Sequence, residues 1–233
     1  MNQIAEHLLQ VKERIVQAAS RAGRSCDHIQ LLAVSKTKPL EAVCEAYAAG
    51  QRRFGESYAQ EAATKIDTLR EQGACADIEW HFIGPLQSNK SRLVAERFDW
   101  VQSVDREKLI ERLNNQRPSG LAPLNVCLQI NISGESSKSG TSEQEIFRLA
   151  ELVSRCERLR LRGLMAIPEH TSDEVVLAAQ MVRMQTLFTE LAQQYPGVDT
   201  LSMGMTEDLE LAIGHGSTMV RVGTAIFGAR DYS

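Results

Sequence analysis

The chain has 233 residues, of which 43% are hydrophobic, 24% are charged and 5% are aromatic. This composition is typical of a folded globular protein and excludes collagen-like, low-complexity and disordered chains. The 26 basic and 30 acidic side chains leave a net charge of -4, so no overall positive field attracts nucleic acid or an anionic membrane, and a small-molecule partner is expected.

A helix is predicted at residues 3–22, because apolar side chains recur there at helical spacing and Gly23 follows them. After it, eight short apolar runs alternate with amphipathic segments of helix length. The predicted strands cover residues 29–36, 52–56, 80–84, 99–104, 124–133, 161–167, 200–204 and 218–223, and the predicted helices cover residues 39–49, 57–71, 88–97, 106–116, 142–155, 173–194 and 207–213.

Strand runs that are apolar on both faces are typical of a parallel sheet covered by crossover helices. Eight such units in about 200 residues predict an α/β fold, a single TIM-type (β/α)8 barrel with an extra N-terminal helix. An open doubly wound sheet is the alternative, but no G-x-G-x-x-G follows the first predicted strand. No Pro/Gly/Ser linker divides the chain, so residues 1–233 are expected to form one domain. The apolar runs are far shorter than the roughly 20 residues that cross a bilayer, and no signal-peptide core opens the chain, so a cytoplasmic location is expected.

In a barrel of this type the functional residues lie at the carboxyl ends of the strands. Lys36 ends the first predicted strand, Ser57 follows the second, Asn131 lies on the fifth and Met165 on the sixth. Residues 202–205 and 222–228 place small side chains after the seventh and eighth strands, where this fold commonly binds phosphate. The candidate cofactor contacts in these two segments are Ser202, Met203, Gly204, Gly223 and Thr224, joined by Arg221 on the eighth strand, and a short helix is expected around Ala225.

Lys36 follows LLAVS, a run that is expected to be buried inside the barrel. A lysine among apolar walls loses solvation and its pKa falls, so its neutral amine becomes a nucleophile toward an aldehyde, whereas the alternative is an ordinary solvated lysine. An aldehyde that carries a phosphate would connect Lys36 with the loops after the last two strands. Pyridoxal 5'-phosphate is such a molecule, and Arg221 would then face its pyridine nitrogen.

Six segments, taken in order, closely resemble those of the pyridoxal-phosphate homeostasis proteins, a family of pyridoxal-phosphate-binding barrels. They are AVSKTKP, WHFIGPLQSNK, INIS with SKSG, LRGLMAIP, SMGM and MVRVGTAIFGARDY. The resemblance implies a barrel like the amino-terminal domain of alanine racemases, with the cofactor held as an internal aldimine on Lys36. It also implies that Ser202, Gly223 and Thr224 bind the phosphate and that Arg221 meets the pyridine nitrogen. The family has FGENY where this chain has FGESY, so Ser57 offers a shorter side chain than the asparagine.

The function implied by this resemblance is non-catalytic: the protein holds pyridoxal phosphate in vitamin B6 homeostasis and makes transient contact with apo-enzymes that use it. An amino-acid racemase is the alternative, but it needs acid–base groups on both faces of the cofactor. The four tyrosines lie on or directly after predicted helices or at the terminus, and only nine residues follow Thr224, so no covering domain is expected.

A metal-dependent or phosphosugar barrel enzyme has less support. The five histidines are scattered and the five cysteines lack C-x-x-C spacing, so no metal site is predicted. His81, on the third predicted strand, is interpreted as a hydrogen-bonded core residue rather than a base. Lys138, in the polar loop after the fifth strand, is expected to help draw phosphate ligands in or out, and the absence of an obvious apolar stripe favours a monomer.

Overall fold

Eight parallel strands close into a barrel, each paired with the next along the chain and the last paired with the first. The computed structural model describes residues 3–135, 139–169, 171 and 173–229. The strands in these ranges are β1 (Gln30–Val34), β2 (Arg53–Glu56), β3 (Glu79–Phe82), β4 (Trp100–Val104), β5 (Leu124–Ile130), β6 (Leu159–Ala166), β7 (Thr200–Ser202) and β8 (Met219–Val222). The predicted (β/α)8 barrel is confirmed, and the alternative of an open sheet is wrong, because β1 pairs with β8.

Helices alternate with the strands, and the predicted N-terminal helix precedes them. The α-helices in the described ranges are α1 (Gln3–Arg21), α2 (Leu40–Ala48), α3 (Ala59–Glu71), α4 (Ser91–Arg97), α5 (Glu107–Gln116), α6 (Ile146–Ser154), α7 (Glu174–Gln194), α8 (Leu209–Gly214) and α9 (Thr224–Phe227). Among these helices, none combines the length and the apolar character that a membrane crossing requires.

The N-terminal helix α1 packs against α8 and α9, which flank β8. Arg14 donates two hydrogen bonds to Glu210 of α8, at 2.7 and 2.9 Å. His7 Nδ1 lies 3.0 Å from the carbonyl oxygen of Ile226 in α9. The apolar face of α1 is buried through Leu8, Val11, Ile15, Ala18 and Ala19. Since α9 directly follows β8, α1 helps to fix the segment in which the phosphate site is predicted.

The pairing of β1 with β8 brings the two ends of the barrel sequence together. Leu32 lies beside Arg221 in the parallel register. A Cβ placed on Gly223 would lie 3.3 Å from the carbonyl oxygen of Val34, so the backbone after β8 passes close to β1. The segments that follow these two strands therefore emerge side by side at the carboxyl end of the barrel.

Six strands (β1, β3, β5, β6, β7 and β8) end earlier than the sequence predicts, and in β1 and β5 the difference changes the place of a polar residue of interest. β1 ends at Val34, and Lys36 lies in the following turn, because Thr37 has a φ of 63° and cannot continue an extended strand. β5 ends immediately before Asn131, whose backbone N–H donates to the carbonyl oxygen of Thr141 at 3.0 Å instead of continuing the strand. Both corrections move a polar residue from the barrel wall to its rim.

Candidate cofactor site at the carboxyl ends of the strands

Lys36 lies at the carboxyl rim of the barrel and is half-buried. The side chain of Arg221, which lies beside Leu32, points into the barrel and contacts Ser202 of β7. Alternate residues of a strand share a face, so Val34 continues this inner face and Lys36 follows it at the rim. The location agrees with the sequence expectation, and the covalent role of Lys36 stays a prediction.

The residues on either side of Lys36 are held by charged side chains of α3. Lys65 donates to the carbonyl oxygen of Ser35 at 2.9 Å. The backbone N–H of Thr37 donates to Glu61 at 2.8 Å, and Glu61 also accepts from Lys65 at 2.6 Å. The turn that carries Lys36 is therefore fixed on both sides.

Glu56 is the buried centre of this cluster. It accepts hydrogen bonds from Lys65 Nζ and from the Ser35 hydroxyl, both at 2.8 Å. The side chain of Glu56 is 0% exposed and that of Lys65 is 8% exposed. Burial raises the pKa of Glu56, while the positive charge of Lys65 acts in the opposite direction. The sequence pattern does not reveal the role of Lys65, because its spacing of four residues from Glu61 is also that of an ordinary solvated helix pair.

Arg221 is a buried positive charge beneath the mouth of the barrel. It is 4% exposed and donates to Ser202 Oγ at 2.7 Å and to the carbonyl oxygen of Ala166 at 2.8 Å. Burial lowers its pKa to about 10, with the negative charge of Asp208 opposing this effect, so the guanidinium is charged at neutral pH. Within the described part of the chain, no carboxylate forms an ion pair with it.

The hydroxyl of Ser202 is already engaged inside the barrel. It accepts from Arg221 and donates to Gln102 Oε1 at 2.6 Å. A serine hydroxyl has one proton, so donation to a phosphate would require the bond to Gln102 to break. The geometry therefore links Ser202 to Arg221 more directly than to a phosphate.

The chain turns sharply after β7. Gly204 has a φ of 94°, which favours glycine, and its carbonyl oxygen accepts from the backbone N–H of Arg221 at 2.9 Å. A Cβ at this position would lie 2.5 Å from the Cβ of Ala212. Met203 is fully buried in the main core, and its backbone N–H donates to the carbonyl oxygen of Met219 at 3.2 Å. Met203 thus anchors the turn.

Gly223 and Thr224 form the start of α9, the short helix that the sequence predicts around Ala225. The carbonyl oxygen of Gly223 accepts from the N–H groups of Ile226 and Phe227, both at 2.9 Å. The first N–H groups of a helix have no acceptor within it, so those of Thr224 and Ala225 are directed away from the helix start. This end of β8 therefore presents backbone donors at the rim.

Ser57 and Met165 occupy different levels of the barrel. Ser57 is half-buried at the rim and precedes α3, which begins at Ala59 rather than at residue 57, because residue 58 still has extended backbone. Met165 is fully buried and packs with Trp100 and Cys127 in an apolar cluster that is separate from the main core. Met165 therefore lies below the rim, so it would contact a ligand at the rim from the barrel interior.

A direct contact ties the segments after β1 and β8 together. Lys38 Nζ donates to the carbonyl oxygen of Ala229 at 2.6 Å. With the strand register, this contact places Lys36 and Gly223 in neighbouring segments of the rim. Lys138, which the sequence predicts to act at the same mouth, lies outside the described residues.

Comparisons with known proteins agree with this geometry. The family described as "Alanine racemase, N-terminal domain" matches residues 7–231. The pyridoxal phosphate homeostasis protein of Escherichia coli (strain K12) is 58% identical over 233 residues, covering 100% of this chain and 99% of that protein. The protein of the same name from Vibrio alginolyticus is 54% identical over 233 residues, covering 100% of both chains.

Solved structures give the same result. PipY of Synechococcus elongatus PCC7942, with PLP bound, superposes with a TM-score of 0.80 at 37% identity, covering 97% of this chain and 100% of that chain. Alanine racemase from Corynebacterium glutamicum has a TM-score of 0.70 at 16% identity, covering 99% of this chain and 62% of that chain, and it shows the fold alone. Full-length identity above one half, together with the shared barrel, places this chain in the pyridoxal phosphate homeostasis protein family.

Proposed function

We propose that this chain, as one domain of residues 1–233, binds pyridoxal phosphate at the carboxyl rim of its barrel and holds it without turnover. The observation that carries the proposal is the closure of β1 on β8, which sets Lys36 beside the segment of Gly223 and Thr224. An amine next to a set of backbone donors suits a ligand that has both an aldehyde and a phosphate. The homeostasis proteins in the family and PipY with PLP bound support the same ligand.

Arg221 provides an independent test of fit. A buried guanidinium whose described partners are neutral oxygens retains its charge and favours a further acceptor. An unprotonated pyridine nitrogen has a lone pair and no proton, so it can accept a hydrogen bond from the guanidinium. The residues present therefore fit a pyridine ring that lies above Arg221.

Bound pyridoxal phosphate supplies an aldehyde with which a neutral lysine amine condenses. We assign that amine to Lys36 and the contact with the ring nitrogen to Arg221. The remaining proposed contacts are Gly223 and Thr224 at the phosphate, Met203 and Gly204 in the turn beside it, Ser202 beneath the ring, Ser57 at the rim after β2 and Met165 below. The brace formed by Lys65 and Glu61 keeps the Lys36 turn in place.

The position of Arg221 favours holding the cofactor over carbanion chemistry. A guanidinium at the ring nitrogen disfavours protonation there, and this weakens the ring as an electron sink. The same residue type is compatible with racemisation, so the distinction from a racemase rests on the second acid–base group, for which the tyrosines in the described part of the chain are the residues to test.

The described tyrosines support the non-catalytic proposal. Tyr47 donates to Asp77 and Tyr195 donates to Glu151, both at the outer surface of the molecule. Tyr58, at the start of α3, is 51% exposed. The group that takes the proton from the reacting carbon must lie within hydrogen-bond reach of that proton, and a tyrosine that is exposed or engaged at the outer surface is poorly placed for this.

The experiment is borohydride reduction of the protein loaded with pyridoxal phosphate, followed by peptide mapping. We expect a pyridoxyl group on Lys36 in the wild type and its loss from that peptide in Lys36→Ala. Lys38→Ala, two residues along the same turn, is the matched control and should retain the label. A loaded protein that carries no label on Lys36 contradicts the assignment. Racemisation of alanine or serine at ordinary enzyme rates would contradict the non-catalytic proposal and favour the racemase.

Transfer of the cofactor to pyridoxal-phosphate-dependent apo-enzymes, by the chain as a monomer, is also proposed. Tyr58, Ile167 and Met205 are exposed on segments that follow the carboxyl ends of β2, β6 and β7, where a recipient would approach the ligand. We expect the rate of transfer to rise with the concentration of the apo-enzyme, and sedimentation to give the mass of one chain. A transfer rate equal to spontaneous release excludes direct hand-over, and a dimer mass excludes the monomer.

A further inference from the structure

A line of hydrogen bonds runs through the barrel interior from Arg221 down to Glu79. Arg221 donates to Ser202, and Ser202 donates to Gln102 Oε1. Gln102 Nε2 lies 2.9 Å from His81 Nδ1, and His81 Nε2 lies 2.9 Å from Glu79 Oε1. The line crosses from β8 through β7 and β4 to β3, and it joins the proposed ring-binding residue to a carboxylate at the amino end of β3.

The two ends of the line fix its direction. A guanidinium can only donate and an ionised carboxylate can only accept. His81 must therefore carry its proton on Nε2, which faces Glu79, and present a lone pair on Nδ1. Gln102 must then turn its NH2 group toward His81 and its oxygen toward Ser202.

The surroundings of Gln102 and His81 support this assignment. Gln102 Nε2 also donates to the sulfur of Met219 at 3.0 Å, so the second amide hydrogen has an acceptor as well. His81 is fully buried and stacks on Trp100 with ring centroids 4.9 Å apart. Burial lowers the pKa of His81, which keeps the ring neutral and leaves Nδ1 as an acceptor.

The carboxylate at the lower end stays ionised. Glu79 accepts from His81 and also from Arg53 Nε at 3.1 Å. Burial alone would raise its pKa, but the hydrogen bond and electrostatic interaction with His81, followed by the positive charge of Arg53, lower it to about 2. Glu79 is therefore an acceptor throughout the neutral range.

We propose that Gln102 is a positioning residue for the cofactor site, held in one orientation by His81 and Glu79 so that Ser202 turns its lone pair to Arg221. This inference rests on the proposed function, in which Arg221 meets the ring nitrogen. The Ser202 hydroxyl proton is committed to Gln102, so its oxygen is a permanent acceptor for the guanidinium. The guanidinium of Arg221 is thereby held in one orientation, in which its other N–H groups can donate to the ligand.

The test replaces Gln102 by methionine, which keeps the approximate volume and removes both polar atoms. Gln102→Met leaves the Ser202 hydroxyl free to rotate and removes the acceptor that fixed it. We expect pyridoxal phosphate to bind about tenfold more weakly, as expected for loss of one hydrogen bond that supports a charged group. The absorption maximum of the bound cofactor should shift as well, because the contact with the ring nitrogen changes, while the borohydride label stays on Lys36.

Two further variants distinguish positioning from packing. Cys127→Ala opens a cavity in the barrel interior at a residue that makes none of the hydrogen bonds of the line, and this variant should bind the cofactor like the wild type, with an unchanged absorption maximum. Gln102→Glu keeps an acceptor for Ser202 and should recover most of the affinity that Gln102→Met loses. Equal affinity and absorption in Gln102→Met and the wild type would overturn the inference, and so would an equal loss in Cys127→Ala.

A measurement on the cofactor-free wild type tests the direction of the line separately. Nitrogen-15 NMR at neutral pH should show His81 with its proton on Nε2 and an unprotonated Nδ1. A proton on Nδ1 would overturn the inference even if the variants fail to fold. Absence of the Lys36 label in the wild type would instead overturn the proposed function, whereas a labelled wild type with an unaffected Gln102→Met overturns the positioning role alone.

Discussion

Lys65→Met removes the cation that holds the turn around Lys36. Lys65 makes three hydrogen bonds, at 2.9 Å to the carbonyl oxygen of Ser35, 2.8 Å to Glu56 and 2.6 Å to Glu61. Its loss leaves Glu56, which is 0% exposed, without its positive partner. Removing one member of a buried ion pair costs about 3–5 kcal/mol, which is a large part of a total stability of about 5–15 kcal/mol.

The assay is urea denaturation of the wild type and the variant at neutral pH. We expect the free energy of unfolding to fall by about 3–5 kcal/mol in Lys65→Met. Lys108→Met, on the exposed face of α5, is the matched control and should stay within about 0.5 kcal/mol of the wild type. The borohydride label on Lys36 should also decrease under conditions where the variant is folded, because the turn loses the hydrogen bond from Lys65 to the carbonyl oxygen of Ser35.

A double variant checks the physical cause. In Glu56→Gln with Lys65→Met, the uncompensated buried charge is gone, so at least about 1.5 kcal/mol of the lost stability should return. A loss below about 1 kcal/mol in Lys65→Met, or no recovery in the double variant, would refute the assignment of Glu56 and Lys65 as a buried pair.

Two other changes follow from the same structure. Gly204→Ala should lower the free energy of unfolding by about 2–4 kcal/mol, because the new Cβ adds overlap with Ala212 to a left-handed φ. Gly23→Ala is the control, since Gly23 has a φ of 65° but open space around it, and it should cost only about 1 kcal/mol. Equal losses of the two variants in urea denaturation would disprove the overlap. The pKa of Glu79 is lowered from 4.5 to about 2, so its stabilising contribution is fully present above pH 4.5 and is lost as the pH falls toward 2. Unfolding free energies measured between about pH 6 and about pH 3 should therefore fall less steeply in Glu79→Gln than in the wild type, and parallel curves would contradict this.

The sequence was sufficient for the architecture because each unit of a (β/α)8 barrel is a local pattern. A buried parallel strand is a short apolar run and its crossover helix is an amphipathic segment, so the order of elements can be predicted without tertiary contacts. The predicted ends of the helices and strands are less accurate than their order. The end of β1 depends on Thr37, whose left-handed backbone is stabilised by a hydrogen bond from its N–H to Glu61, 24 residues later.

The rim residues could be predicted for a similar reason. Lys36, Gly223 and Thr224 each follow a strand that the pattern identifies, and a closed barrel brings the carboxyl ends of all strands to one face. His81 was predicted as a hydrogen-bonded core histidine, and its full burial and its contacts with Gln102 and Glu79 confirm this.

Only the tertiary structure decided what lies behind the rim. Periodicity tells which face of an element a side chain occupies, but the level at which it meets residues of other strands depends on the register of the closed sheet. Lys65 has the spacing of a solvated helix residue, yet in the folded chain it is buried against Glu56 of β2 and the carbonyl oxygen of Ser35, just after β1. Ser202, Gln102 and His81 come from three strands and are far apart in the chain, so their contacts, and with them the support of Arg221, exist only because the barrel closes.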